Sequence, residues 1–317
     1  MADRGPMLAP SQLVNLDTLQ YPVYVSVKMD GVRALIINGE ILSRKLKPLH
    51  PETTRYFQPL VNFTKNNQVV LDGELYCEGL NFSELTSCLA DSNKLRTNFV
   101  AFNAFDCIPV DEWFGKSQST FQQRTFLLGK LMQRWTSQTE EELELLFAVM
   151  QHQCTSAEEV NAYAAIAYDN RYEGLIIRNI GSTYKHGRAT VRESSMWKMK
   201  AFTTVRARII GFNYKTVLHD GASLSYDRMG YKERTHKAED RVLIDEIGSI
   251  DCEISDGNAF PIGTKFSATY VKDCPLRSMI TPQTFEQYRG KECLVSYQQH
   301  GSKDKPRFPR IVRLTID

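Results

Sequence analysis

The 317-residue sequence predicts an α+β protein in which a larger domain of strands and helices is followed by a small closed β-barrel. At roughly 150 residues per domain, this length suits two domains. Residues 21–110 contain short apolar runs separated by turn residues, a pattern typical of strands. Residues 119–151 and Ser156–Asn170 carry apolar side chains at helical spacing. The C-terminal part returns to short strands whose number suits a barrel, so we predict domains at 1–202 and 203–317.

Local signals set the expected limits of these elements. Asp30–Gly31, Asn38–Gly39 and Asp72–Gly73 are dipeptides that favour turns between strands. Ser156 and Glu159 have the spacing of a capping box at the start of the second helix.

Charge and cysteine content restrict the class of protein. The formal net charge is only +2, so any affinity for nucleic acid has to come from local basic patches. The seven cysteines are scattered and never form CxxC, which argues against a zinc site and a disulfide scaffold. The N-terminus has no apolar signal region and no segment resembles a membrane span. We expect an intracellular protein without a membrane partner, with cytoplasmic, host-cell, nuclear and organellar destinations left open.

Lys28 stands at the end of the strand-like run YVSVK, before Asp30–Gly31 and Arg33. A free lysine has a pKa of about 10.4, so holding it neutral at pH 7 costs roughly 4 to 5 kcal/mol. Burial and neighbouring cations reduce that cost and make lysine a nucleophile. Gly31 is expected to let a bound ligand approach closely. The alternative is a surface lysine before a hairpin.

Acidic residues stand in two later stretches. In VLDGEL, a strand places Asp72 and Glu74 on one face, where two carboxylates can bind a sugar or a divalent cation. In RYEGLIIR, Glu173 precedes an apolar strand and is a candidate ligand for a metal or partner for a phosphate site. Solvated acids at turns explain each stretch equally well in isolation.

Two further stretches carry an aromatic ring and a pair of lysines. In NAFDC, Phe105 at a strand end is a candidate for stacking on a purine, although such rings more often belong to the core. In MWKMK, alternation places Lys198 and Lys200 on one face, which forms a phosphate clamp or a solvated strand face.

The order of these motifs is more specific than any one of them. KMDGVR, Ser43–Arg44, VLDGEL, AFD, EGLIIR and WKMK follow one another over the first 200 residues, and RFPRIVR lies near the C-terminus. In this order the chain resembles the ATP-dependent DNA ligases of the small phage or viral type, which are covalent nucleotidyltransferases. The resemblance implies an adenylation domain of antiparallel sheets with helices, followed by an OB-fold barrel.

The resemblance also implies the chemistry. Lys28 would attack the α-phosphate of ATP and carry AMP, which then passes to the 5′-phosphate of a nick before the 3′-hydroxyl displaces it. Lys198 and Lys200 would hold the α-phosphate during this phosphoryl transfer. Glu173 would bind Mg²⁺, for which Mn²⁺ can substitute, and Glu74 is the second candidate metal ligand.

The remaining nucleotide contacts are assigned by the same resemblance. Arg44 and Glu74 would contact the ribose, and Phe105 would stack on adenine, with Phe102 as the alternative ring. Arg33 would assist at the ribose or at the nick phosphate.

The C-terminal motif has two arginines that the resemblance places at the pyrophosphate. Arg307 and Arg310 would orient this leaving group once the barrel closes over ATP. Many relatives carry a further arginine and an Asp-Lys pair after the motif, whereas this chain has Thr315 and ends at Asp317. This departure weakens the motif without removing it.

A polar stretch from Lys215 to Asp240 interrupts the predicted barrel. A loop of this length is uncommon unless it is functional or disordered. We hypothesise that it clamps nicked duplex DNA, and a disordered insertion is the alternative. Its candidate DNA-binding residues, besides Arg33, are Lys215, Arg228, Lys232, Arg234 and Lys237.

We therefore expect a monomeric ligase that uses ATP and acts on nicked duplex DNA. An RNA ligase and an RNA-capping guanylyltransferase share the lysine chemistry, but RFPRIVR on a barrel favours the DNA ligase. A catalytically inactive nucleic-acid-binding protein on the same scaffold is a further alternative.

Overall fold

The computed structural model forms two compact units. It describes residues 4–12, 14–138, 143–219, 226–227, 229–231, 241–271, 274–298, 302 and 304–315. The first unit comprises Met1–Met199 and Tyr226–Lys232, and the second comprises Lys200–Ser225 and Glu233–Asp317. In the described part of the chain, every helix is too short or too polar to cross a membrane.

The first unit combines two sheets with helices. Its strands are β1 (Val23–Lys28), β2 (Val32–Ile37), β3 (Glu40–Ser43), β4 (Val69–Tyr76), β5 (Ala101–Pro109), β6 (Leu146–Ala148), β7 (His152–Cys154), β8 (Gly174–Asn179) and β9 (Met196–Lys200). Its α-helices are α1 (Pro51–Tyr56), α2 (Gln58–Asn66), α3 (Phe82–Cys88), α4 (Ser92–Thr97), α5 (Val110–Phe114), α6 (Phe121–Gln138) and α7 (Ala157–Asp169). Sheet A has the order β7-β1-β8-β9, and sheet B has the order β3-β2-β4-β5-β6.

The link between β1 and β2 differs from the expected hairpin turn. These strands belong to different sheets, so Asp30–Gly31 crosses from sheet A to sheet B. A Cβ atom on Gly31 would lie 2.3 Å from the carbonyl oxygen of Leu75. The expectation that Gly31 makes room for a ligand is therefore wrong, because the glycine makes room for the backbone of β4.

Of the other two predicted turns, Asn38–Gly39 is a turn and Asp72–Gly73 is not. Asn38–Gly39 joins β2 to β3, and both residues have positive φ, 54° and 91°, as a tight hairpin turn requires. Asp72–Gly73 lies inside β4, so a turn there is wrong. A Cβ atom on Gly73 would lie 2.4 Å from a ring carbon of Phe102, which explains the glycine by close packing between strands.

The first predicted helix is shorter than residues 119–151. Helix α6 ends at Gln138, and Leu146 and Phe147 belong to β6, which pairs in parallel with β5. Apolar spacing alone does not separate a helix end from a short edge strand. Helix α7 lies within Ser156–Asn170, and the Ser156 side chain accepts a hydrogen bond from the Glu159 amide.

The two sheets of the first unit face each other. One face of sheet B packs against α2 and α6, where Leu60 and Trp135 are buried. The other face contributes Leu35 and Val70 to a cluster that includes Met196 of sheet A. Sheet A in turn packs its outer face against α7. This arrangement leaves a cleft framed by strands of both sheets.

The second unit is a closed barrel in the order β10-β11-β12-β14-β13, which confirms the predicted α+β class with a C-terminal barrel. Its elements are β10 (Phe202–Leu218), β11 (Arg241–Ile254), β12 (Lys265–Tyr270), α8 (Leu276–Met279), β13 (Glu292–Gln298) and β14 (Arg307–Leu314). Strand β10 extends further than expected, so Lys215–Leu218 pair with β11 instead of starting a loop.

Candidate active site

A cavity of about 260 Å³ opens in the cleft of the first unit. Its walls contain residues from both sheets and from the N-terminal segment Met7–Ala9. The predicted site residues that line it are Lys28, Arg33, Arg44, Glu74, Phe105 and Lys198. These residues are distant in sequence, and the fold brings them to one cavity.

Lys28 and Glu173 meet at the ends of two paired strands. Lys28 ends β1 opposite Gly174, the first residue of β8, so Glu173 lies beside it. The Glu173 amide donates to the Lys28 carbonyl oxygen over 3.1 Å, and the Lys28 ammonium forms an ion pair with the Glu173 carboxylate. The side chain of Glu173 is 5% exposed and that of Lys28 is 26% exposed. A carboxylate at this position favours the charged ammonium over the neutral amine.

Arg33 is held in the cavity wall by Asp72. Its Nε and Nη2 atoms each donate to the Asp72 carboxylate over 2.7 Å, and Tyr184 donates to the same carboxylate over 2.6 Å. The Arg33 guanidinium also lies 4.4 Å from the ring centroid of Phe105. The expectation that Asp72 and Glu74 jointly face a ligand is therefore wrong for Asp72, which is fully buried.

Glu74 lines the cavity and has an unusual pKa. Burial raises this pKa to about 7, although the charges of Arg33 and Lys28 oppose the shift. The Glu74 carboxyl group is therefore partly protonated near neutral pH. A ligand that supplies positive charge would favour its ionised form.

Arg44 follows β3 at another wall of the cavity. Its Nε atom is buried and has no hydrogen-bond partner in the described part of the chain. The guanidinium lies 5.3 Å from the ring centroid of Tyr231, and Ser43 Oγ donates to the Met229 carbonyl oxygen over 2.7 Å. Met229 and Tyr231 therefore pack beside Ser43 and Arg44 within the first unit.

Phe105 and Phe102 have different surroundings. Phe102 is fully buried in the core of sheet B, whereas Phe105 is partly exposed and lines the cavity. Of the two rings considered for stacking, Phe105 is the one with access to a ligand.

The lysines of β9 also differ from each other. Trp197 and Met199 pack into the core of sheet A, so alternation turns Lys198 and Lys200 the other way. Lys198 lines the cavity, and Lys200 ends the strand outside its lining.

Asp106, Arg124 and Arg178 form a buried ionic cluster that sequence reasoning missed. Arg124 Nε and Arg178 Nη2 donate to the Asp106 carboxylate over 2.7 Å and 2.8 Å. Burial alone would raise the pKa of Asp106, but the two guanidinium groups outweigh it and leave the pKa below its usual range. One signal was available: Arg124 occupies the apolar face of α6, between the buried residues Phe121 and Leu128.

The predicted residues of the barrel lie on its strands. Arg310 is exposed on β14 beside the buried Ile311, and the guanidinium of Arg307 lies 5.2 Å from the Phe308 ring centroid. The Thr315 amide donates to the Glu292 carbonyl oxygen over 3.0 Å, so this residue continues the pairing of β14.

The candidate DNA-binding lysine of β10 has an acidic neighbour. Lys215 forms a 2.6 Å ion pair with Glu246, and both side chains are exposed. The other candidates of this region, Arg228, Lys232, Arg234 and Lys237, lie outside the described residues.

The carboxylates of Glu173 and Glu74 suit a hard cation whose other ligands are substrate phosphates and water. In the described ranges, no group of three or more His, Cys, Asp or Glu side chains is placed to hold a metal ion. Glu173 and Glu74 offer carboxylate oxygens, which Mg²⁺ accepts in sites completed by substrate phosphates and water.

Comparison with solved structures places this fold among DNA ligases. A structure from a study of DNA binding with a minimal scaffold by Lig E DNA ligases is 19% identical, with a TM-score of 0.66 over 98% of this chain and 99% of that chain. The DNA ligase-adenylate of Chlorella virus is 24% identical, with a TM-score of 0.53 over 100% and 99%. The ATP-dependent DNA ligase of bacteriophage T7, in complex with ATP, is 17% identical, with a TM-score of 0.52 over 98% and 99%.

Family comparison covers most of the sequence. The family described as the ATP dependent DNA ligase domain matches residues 6–200, and the DNA ligase OB-like domain matches residues 242–314. A comparison with curated protein sequences finds no match. Because the first family match alone spans more than half of the 317 residues, the chain belongs to the ATP-dependent DNA ligases.

Proposed function

We propose that Lys28 is the nucleophile with which this nick-sealing DNA ligase takes AMP from ATP. The observation that carries the proposal is the position of Lys28 in the cavity, beside Glu173 and with Arg44, Phe105 and Lys198 in the same walls. In the first step the lysine nitrogen bonds to the α-phosphorus, the bond to pyrophosphate breaks, and the amine gives up a proton. AMP then passes to the 5′-phosphate of a nick, and attack by the 3′-hydroxyl releases it.

The charges around the cavity support this assignment. Lys198, in the cavity wall, would neutralise the α-phosphate, and Lys200 remains a candidate for the same phosphate although it lies outside the lining. Arg44 has a buried donor that could bind an oxygen of the ligand. Arg44 and Glu74 are proposed to contact the ribose, and Arg33 to assist at the ribose or at the nick phosphate. Glu173 and Glu74 would hold Mg²⁺, or Mn²⁺ in its place, and the cation would supply positive charge against the phosphates.

Arg307 and Arg310 remain candidates for contact with the leaving pyrophosphate. We further propose that the enzyme is an intracellular monomer whose partner is nicked duplex DNA. The match to the DNA ligase OB-like domain favours this partner over an RNA end or an RNA cap.

An intact-mass measurement tests the function. Protein treated with pyrophosphate, then incubated with ATP and Mg²⁺ without DNA, is expected to gain one AMP. After removal of ATP, this form is expected to seal one round of nicks in duplex DNA. Absence of uptake from ATP together with uptake from GTP would indicate a guanylyltransferase, and absence of both would favour an inactive binding protein.

We also propose that residues 215–240 contribute a clamp on DNA. Met229 and Tyr231, which contact Ser43 and Arg44, give this segment an anchor in the first unit. When lysine or arginine side chains contact DNA phosphates, the counterions of those phosphates are released. The affinity for DNA therefore falls as the salt concentration rises.

Neutralising the cations of this segment tests the clamp. We expect a variant with Arg228, Lys232, Arg234 and Lys237 changed to serine to bind nicked DNA more weakly, with a salt slope shallower by about 2 to 4. The control changes Lys65, Lys94, Lys116 and Lys130, which are exposed elsewhere in the first unit. An unchanged affinity and salt slope would favour an insertion without a role in DNA binding.

A further inference from the structure

Gln151 crosses from one sheet to the other at the cavity. It follows β6, whose extension is tied to β5 by a 2.7 Å hydrogen bond from the Val149 amide to the Ala104 carbonyl oxygen. The next residue, His152, begins β7 and pairs with Val25 of β1. Gln151 therefore lies beside the strand that carries Phe105 and the strand that carries Lys28, and it lines the cavity.

The amide of Gln151 presents an acceptor that lacks a donor. Its Nε2 atom donates to the Val149 carbonyl oxygen over 3.2 Å, which fixes the orientation of the amide. Its Oε1 atom is buried and has no hydrogen-bond partner within the described residues. Buried acceptors are nearly always paired in folded proteins, so an unpaired one at a cavity points to a donor on a ligand.

The strand order of sheet B places Gln151 on the opposite side of Phe105 from the proposed ribose contacts. Arg44 and Glu74, the proposed ribose contacts, belong to the β3 and β4 side of the sheet, and Phe105 belongs to β5. Gln151 follows β6, beyond Phe105. With strands about 4.8 Å apart, the distance from β4 to β6 is about 10 Å, similar to the length of a nucleoside.

We propose that Gln151 Oε1 accepts a hydrogen bond from the 6-amino group of adenine and so selects ATP over nucleotides that lack this donor. The proposal rests on the proposed function of the cavity. Adenine carries an amino donor at the 6-position, whereas guanine carries a carbonyl acceptor there. To donate a hydrogen bond to the guanine carbonyl, the Gln151 amide would have to rotate. Its oxygen would then face the Val149 carbonyl oxygen, and two acceptors would meet. The fixed amide therefore discriminates between the two purines.

The test compares two nucleotides that differ only in the 6-amino group. Wild-type protein is expected to take up AMP from ATP with kcat/KM about 5 to 10 times that for purine riboside triphosphate, the effect of one neutral hydrogen bond. In Gln151→Leu the ratio is expected to fall to about 1, mainly through slower use of ATP. Gln151→Met, of similar length, provides a second variant. Gln153→Leu is the matched control, because Gln153 is exposed on β7, and it is expected to keep the wild-type ratio.

The outcomes separate this inference from the proposed function. A structural role for Gln151 would slow both nucleotides equally, so an unchanged ratio in Gln151→Leu or Gln151→Met overturns the inference. A ratio near 1 in the wild-type protein overturns it as well and leaves the ligase assignment intact. If pyrophosphate-treated wild-type protein takes up neither nucleotide, the proposed function fails and the inference fails with it.

Discussion

Changing Lys28 to alanine is expected to lower the uptake of AMP from ATP by at least about a thousandfold, because the residue that would form the bond to phosphorus is removed. The same variant is expected to retain sealing of a nick that already carries AMP on its 5′-phosphate. In that last step the 3′-hydroxyl attacks the DNA phosphate and AMP leaves, so a lysine nucleophile is not consumed. Intact mass measures the first activity, and ligation of pre-adenylylated DNA without ATP measures the second.

Lys28→Arg separates nucleophilicity from charge. Arginine can preserve an ion pair with Glu173, but its guanidinium does not lose its proton in proteins and is not expected to attack ATP. Lys130→Ala, at an exposed position of α6, is the control and should behave as the wild-type protein does. Wild-type uptake of AMP by Lys28→Ala would show that another residue is the nucleophile.

Sequence alone predicted the residues of the cavity that stand at strand ends or alternate along strands. Lys28 ends β1, and Glu74 and Lys198 lie inside strands, where period two determines which side chain faces the cleft. Phe105 was expected at a strand end but lies in the middle of β5. Their order along the chain supplied the resemblance to ligases. These residues could be predicted without knowing which strands pair, because the strands of both sheets border the same cleft.

The contacts that sequence could not predict join residues far apart in the chain. Asp72 resembles a site acid in VLDGEL, yet Tyr184 and Arg33 hold it in the interior. Leu146 fits a helical pattern, and only its pairing with β5 makes it part of a strand. Such choices depend on which elements become neighbours, and local periodicity contains no information about that.

The second large expected effect concerns the buried cluster of Asp106, Arg124 and Arg178. Asp106→Ala is expected to lower the free energy of unfolding by about 3 to 5 kcal/mol, because it leaves two buried guanidinium groups without their carboxylate. Arg124 is fully buried and Arg178 is 2% exposed, so neither guanidinium group is well hydrated once its carboxylate is removed. Urea denaturation of the apoprotein measures the change, and Asp111→Ala, an exposed acid on α5, provides the control.

A triple apolar variant distinguishes a missing charge from a missing packing contact. If the cost of Asp106→Ala arises from uncompensated cations, then adding Arg124→Leu and Arg178→Met should recover much of the lost stability. If it arises from a cavity, the triple variant should be at least as unstable as the single one. Arg178 also lines the cavity that contains Lys28, and its guanidinium lies 4.0 Å from the ring centroid of Phe121. A triple variant that regains stability but binds ATP poorly would therefore show that this buried charge serves the ligand more than the fold.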